Sequence, residues 1–191
     1  SQEKVRARAA MMLGAVAGSD TMAVLESAAR SDPSVLVRLA CVEAILSRRS
    51  ARSLPVLYYV GALDSAEQVR SLVAVRVPAI VDVKSLPFMK RALEETDPRV
   101  RALVMRTLPV PMPSSFHAIV ARGLGDYPEV RSAAFQRAML LSDAVRWKLF
   151  ERLAESTELN IVMGLADELG RFDDHRVIAL LLRIFDRGEE S

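Results

Sequence analysis

The residues that could do chemistry are few. The sequence has one cysteine (Cys41), two histidines (His117 and His175) and one tryptophan (Trp147). A cysteine nucleophile needs a base beside it and surroundings that favour the thiolate. No histidine stands near Cys41 in sequence, so Cys41 reads as a small buried hydrophobe. Zinc takes about four nitrogen or sulfur ligands, and two unpaired histidines with one cysteine do not supply them. No metal and no cofactor is expected. Trp147, flanked by Arg146 and Lys148, has the parts of a base-stacking platform. With charge otherwise balanced, packing on its own helix is the preferred reading. No phosphate-binding loop, Ser/His/Asp set or paired-carboxylate constellation is present, so no catalytic residue is assigned. Tyr58 and Tyr59 are the remaining candidates, because tyrosine offers large contact area with few rotors at protein interfaces.

What positions these residues is a repeat. Val-Arg pairs stand at Val5-Arg6, Val37-Arg38, Val69-Arg70, Val100-Arg101 and Val130-Arg131, at nearly constant intervals. A sixth copy without the Arg follows at the same interval, at Ile161-Val162. An Asp-Pro or similar turn precedes the pairs: Asp32-Pro33, Asp64-Ser65, Asp97-Pro98 and Asp126-Tyr127-Pro128. Asp accepts bonds from the free N–H groups of a helix start, and Pro is tolerated in the first turn. Four residues after each Val comes a small side chain (Ala9, Cys41, Val73, Val104, Ala134), and eight after it an apolar one (Leu13, Ile45, Val77, Leu108, Ala138). These offsets share one face of a helix. A second helix is expected after each first one: Asp20 to Arg30, Ala51 to Leu63, Val83 to Glu95, Ser114 to Leu124, Asp143 to Glu155 and Asp174 to Arg187. Each helix pair cannot bury its apolar face alone, so stacked pairs make the core.

Two departures from the pattern stand out. Pro78 is expected to close the first helix of copy three early. Copy four carries Leu108-Pro109-Val110-Pro111-Met112-Pro113 where a short turn belongs. Alternating proline favours an extended connector, read here as a stiff spacer in preference to a docking loop.

Asp-Pro-x-Val-Arg, then small residues, Leu-Gly and a second amphipathic helix, resembles HEAT repeats. The short bacterial kind named after the phycobilisome lyases is the most similar. Leu169-Gly170-Arg171-Phe172-Asp173-Asp174 leading into Val177, Ile178 and Leu180 carries that likeness, and Leu13-Gly14 is the same hinge in copy one. The resemblance implies an all-α fold: an α-α superhelix of about six HEAT-like helix pairs in a single domain. The repeats fall at 1–31, 32–63, 64–95, 96–125, 126–156 and 157–191. It also implies a structural ladder in which each Arg meets an Asp of an adjacent copy, through Asp32, Arg38, Arg70, Asp97, Arg101, Asp126 and Arg131. Second helices line the concave side in such stacks. Lys90 and Arg91, close to the register equivalents of the tyrosines one copy later, must face water at least in part, which places Tyr58 and Tyr59 on a partly exposed face. With Arg122, Arg152 and Arg183 on other second helices, a strip of Tyr and Arg suited to an acidic or helical peptide is expected.

The function expected is protein–protein interaction or scaffolding. The partner would be another protein or another domain of the parent chain, since the chain starts at Ser1 inside the pattern and reads as a piece of a longer protein. The alternatives are an enzyme resembling phycobilin lyases or HEAT-type DNA glycosylases, or a nucleic-acid-binding module. The HEAT-type di-iron hydroxylases use repeated His-Glu pairs, which this sequence lacks. Composition agrees with close helix packing: hydrophobic residues are 51% and aromatics only 5%. A formal net charge of +2 argues against nucleic acid as the partner. No apolar run reaches the roughly 18 residues of a membrane span. A single cysteine fits a reducing compartment, with the cytoplasm favoured.

Overall fold

The computed structural model describes residues 1–16, 18–172 and 174–189. Asp173 of the last repeat's motif lies outside the described residues. Every regular element among the described residues is helical. They form two compact units, residues 1–107 and 108–191, where one domain was expected. The break falls inside copy four, at the start of its proline-rich segment.

In the first unit the helices are α1 (Gln2–Ala15), α2 (Ser19–Ser31), α3 (Val35–Ser47), α4 (Leu54–Leu63), α5 (Glu67–Arg76), α6 (Leu86–Ala92) and α7 (Pro98–Arg106). Short 3-10 turns, Ala51–Ser53 and Val83–Ser85, lead into α4 and α6. Another, Val77–Ile80, carries Pro78 directly after α5. Copies two, three and four start the same way. The Asp32, Asp64 and Asp97 carboxylates accept from the backbone N–H two residues on, at Ser34 (2.9 Å), Ala66 (2.8 Å) and Arg99 (2.8 Å). These are Asx turns, which satisfy donors that a helix start leaves free.

First helices pack on first helices: α1 on α3, and α3 on α5. Second helices α2, α4 and α6 form the other row, with α4 touching both neighbours. The seam is apolar: Leu25, Val37, Ile45, Leu57, Val69, Val73, Met89, Val100 and Val104 are all buried. Each such side chain contributes about 1.5–3 kcal/mol by leaving water. Approach is close where a copy carries glycine. A Cβ on Gly61 would lie 2.5 Å from Val73 Cγ1, and one on Gly14 would lie 2.9 Å from Ala44 Cβ. Gly14 is therefore not a hinge. It lies within α1, and its missing side chain lets α3 come near.

The second unit holds α8 (His117–Leu124), α9 (Pro128–Met139), α10 (Asp143–Ala154), α11 (Leu159–Leu169) and α12 (His175–Glu189). Here α11 packs on α8, α9, α10 and α12. Gly164 on α11 sits against the Leu124 carbonyl with no room for a side chain. Leu108 and Met112 of the proline-rich segment are buried, and the Leu108 carbonyl accepts from the Arg137 guanidinium. The segment is thus bonded to α9 as well as spacing two helices.

Candidate partner-binding surface

The Asp and Arg positions come first, since they hold the repeats in register. Arg38 donates to Asp64 through Nε (2.7 Å) and Nη2 (2.8 Å), and both side chains are buried. Its Nη1 reaches back to the Asp32 carbonyl (2.8 Å), tying down its own turn. Arg70 and Arg101 make the same backward bond, to the carbonyls of Asp64 (2.6 Å) and Glu95 (2.7 Å). Arg6 grips Asp32 as Arg38 grips Asp64, across the same length of chain. The third rung differs. Asp97 is one residue further from Arg70, and its carboxylate bonds to Arg99 of its own helix (Nη2 at 2.7 Å). Asp126 accepts from the Tyr127 N–H (2.6 Å), and Arg131 pairs with Asp167 on α11. Burial alone would raise the Asp64 carboxyl, but the Arg38 bonds and the Ala66 N–H outweigh it and hold the group below its usual value.

The tyrosines separate. Tyr58 was expected on a partly exposed face, and it is fully buried. Helix α4 packs against both α6 and α7, so its flank is covered where that of Lys90 is not. The Tyr58 hydroxyl lies 2.9 Å from Thr107 Oγ1. The single Thr107 hydroxyl proton is directed to the carbonyls of Leu103 (3.0 Å) and Val104 (3.1 Å), so Tyr58 is the donor. Tyr58 therefore serves the core and offers nothing to a partner. A repeat period gives register, but it does not report which neighbours cover a flank.

Tyr59, Lys90 and Arg91 remain at the surface of the first unit, Tyr59 half-buried and the other two exposed. The Arg30 guanidinium stacks over the Tyr59 ring at 4.5 Å, a contact worth about 0.5–1 kcal/mol at an exposed site. Met22, Glu26 and Arg30 recur at four-residue spacing on α2, opposite Arg52 and Tyr59. A polar groove of about 350 Å³ lies between α2 and α4, lined by Arg30, Asp32, Arg38, Tyr59 and Asp64 among others. A separate cleft of about 690 Å³ is lined by Met22, Glu26, Arg52 and Ser53 among others and by no residue of α4. The acids here are engaged: Glu26 accepts from buried Ser53 (2.8 Å), Asp32 from Arg6 and Asp64 from Arg38. The sequence reading missed Met22, Glu26, Arg30 and Arg52. The i, i+4, i+8 spacing on α2 was visible, but the pairing across two helices was not.

In the second unit Arg122 and Arg152 are both exposed. Burial, with the Arg152 charge added, lowers the His117 pKa. Trp147 packs edge-on to Phe150 (5.7 Å), and Arg176 covers its ring at 4.4 Å. One face of the ring is thus occupied by a cation. Arg176 is itself fixed by Asp174 (2.8 Å) and Asp143 (2.6 Å), and Asp174 is held down to about 2 chiefly by that bond. Cys41 is buried, and burial pushes its thiol up to about 11, the reverse of an activated nucleophile. No cluster of three or more metal-ligating side chains occurs among the described residues, and none of their helices is long and apolar enough to cross a membrane.

No curated protein matches the chain. Residues 1–77 match the family model described as HEAT repeats, a stretch that runs from α1 through α5. With paired, stacked helices and no strand among the described residues, the matched stretch is built of HEAT-like repeats.

Proposed function

We propose that the chain is a protein-binding module, without catalysis of its own, whose α2–α4 groove holds an acidic segment of a partner. The partner is another protein or another domain of the same parent chain. One observation carries the reading. The groove's acids, Asp32 and Asp64, are already bonded to Arg6 and Arg38, while the exposed Arg30 and half-buried Tyr59 line it. Tyr59 supplies the anchor, preset by Arg30, so little rotamer freedom is lost on binding. Repeat stacks commonly use extended surfaces of this kind. The Leu169–Asp174 pattern supports grouping the repeats with the short bacterial kind named after the phycobilisome lyases, without extending a lyase activity to this chain.

The test is selection of displayed random peptides on the immobilised chain. The reading expects acidic peptides with one apolar anchor, and binding at least tenfold weaker for Tyr59→Ala and Arg30→Ala with helicity unchanged. No enriched sequence, or enrichment indifferent to both substitutions, would sink it.

A further inference from the structure

The repeated arginines of the first unit use two edges of the guanidinium. One edge turns back on its own copy. Nη1 of Arg38, Arg70 and Arg101 donates to the carbonyl six residues earlier, at Asp32 (2.8 Å), Asp64 (2.6 Å) and Glu95 (2.7 Å). The other edge, Nε with Nη2, meets the following copy. In Arg6 that edge grips both oxygens of Asp32, at 2.9 and 3.0 Å, and in Arg38 both oxygens of Asp64, at 2.7 and 2.8 Å.

Arg70 departs from the series at one edge only. Its Nη1 is held by the Asp64 and Ser65 carbonyls, as that of Arg38 is by the Asp32 and Pro33 carbonyls. Its Nε and Nη2 meet no acceptor among the described residues. The backward bonds show why. Glu95 receives Arg101 as Asp32 and Asp64 receive Arg38 and Arg70, so Glu95 holds the ladder position of copy four. The two ladder aspartates are fixed by the N–H two residues on. Glutamate is one methylene too long for that turn, and Asp97 makes it with the Arg99 N–H. The Asp97 carboxylate is then taken by the Arg99 guanidinium. The Glu95 carboxylate pairs with no cation among the described residues.

Arg70 is therefore a planar two-point donor, half-buried, fixed from behind and open in front. That edge matches a carboxylate, and its fixed orientation leaves little freedom to lose on binding. Asp64 and Ser65, whose carbonyls hold it, also line the α2–α4 groove. A segment that leaves the groove past Ser65 comes to Arg70.

We propose that Arg70 is the receptor for one Asp or Glu side chain of the partner, whose carboxylate takes the place that Asp32 and Asp64 hold on Arg6 and Arg38. The inference rests on the acidic partner segment proposed above and adds to it one acidic position at a fixed distance from the apolar anchor.

Display selection run in parallel on the parent chain and on Arg70→Gln tests it. The parent should enrich peptides with an acid at one fixed spacing from the anchor. On Arg70→Gln the anchor should persist and the preference for that acid should vanish. A peptide selected on the parent should bind about fivefold more weakly to Arg70→Gln, and nearly as weakly to Arg70→Lys, whose ammonium lacks the planar fork. Glu95→Gln should leave the melting temperature unchanged. Enrichment of the anchor without a fixed acid, or an acid preference that survives Arg70→Gln, overturns the inference and leaves the groove reading standing. So does a loss of stability in Glu95→Gln that disappears in the Arg70→Gln background, which would make Glu95 the fork's own partner. No enrichment on either chain removes both readings.

Discussion

Arg38 and Asp64 meet in a two-point bond, 2.7 and 2.8 Å, with both side chains shielded from water. The pair joins the first helix of copy two to the turn that starts copy three. Removing one partner strands the other charge, which costs about 3 kcal/mol or more at a buried site. Arg38→Ala and Asp64→Ala should each destabilise the first unit by roughly that amount in denaturant melts. The double variant should cost far less than the sum. Arg6→Ala breaks a more exposed copy of the same bond and should cost much less. Equal losses for Arg6→Ala and Arg38→Ala would contradict this account of the ladder.

The same pair sets an acid limit. The Asp64 carboxyl is depressed in the folded chain, as is that of Asp32 through its bond to Arg6. A depressed carboxyl stabilises the fold above its unfolded value, about 3.9, and that contribution fades as pH falls through the folded value. Stability of the first unit should therefore hold from pH 7 to about 5 and drop steeply below about 4. Asp64→Asn should lower stability at neutral pH and flatten the drop. An unchanged acid profile in Asp64→Asn would remove Asp64 from this role.

Tyr58 and Tyr59 are adjacent in sequence and opposite in consequence. Tyr58→Ala empties a core site and should cost about 3–5 kcal/mol. Tyr58→Phe loses one hydrogen bond, about 1 kcal/mol, because Thr107 keeps its bonds to two carbonyls. Tyr59→Ala should leave the melting temperature within a few degrees of the parent. Thermal melts of the three variants decide this, and a Tyr59→Ala loss matching Tyr58→Ala would refute the assignment.

Gly61 is where α4 comes very close to α5 and α7. A methyl group there must push Val73 and Leu103 aside. Gly61→Ala should destabilise by about 1–3 kcal/mol by overpacking, although alanine is the better helix former by about 1 kcal/mol. A stabilised Gly61→Ala in a denaturant titration would mean that the helices do not approach so closely.

Most of the architecture was legible because one signal, the repeated Val-Arg pair, carries both period and face. The turn prolines and aspartates marked helix starts within a few residues. Pro78 does stand where α5 ends, in the 3-10 turn that follows it. What was hidden depends on neighbours distant in sequence. Tyr58 looked like Lys90 by register, but α7 lies against α4. Asp97 looked like Asp64, but its carboxylate is taken by Arg99 of its own helix. The α2–α4 groove was half visible: Tyr59 was identified, but its partner Arg30 comes from α2, with all of α3 between them in the chain. Pairing of that kind is a property of packing and has no local pattern.

The central claim is that equivalent positions of the repeat in the first unit lie on one face, with Val37 and Val69 buried in an apolar seam and Val5 exposed. Single cysteines in a Cys41→Ser background, at Val5→Cys, Val37→Cys and Val69→Cys, test it through thiol labelling rates at low protein concentration. The account predicts rapid labelling at position 5, and labelling at 37 and 69 slower by orders of magnitude and accelerated by denaturant. Labelling at 37 and 69 as fast as at 5 in the folded chain would contradict it.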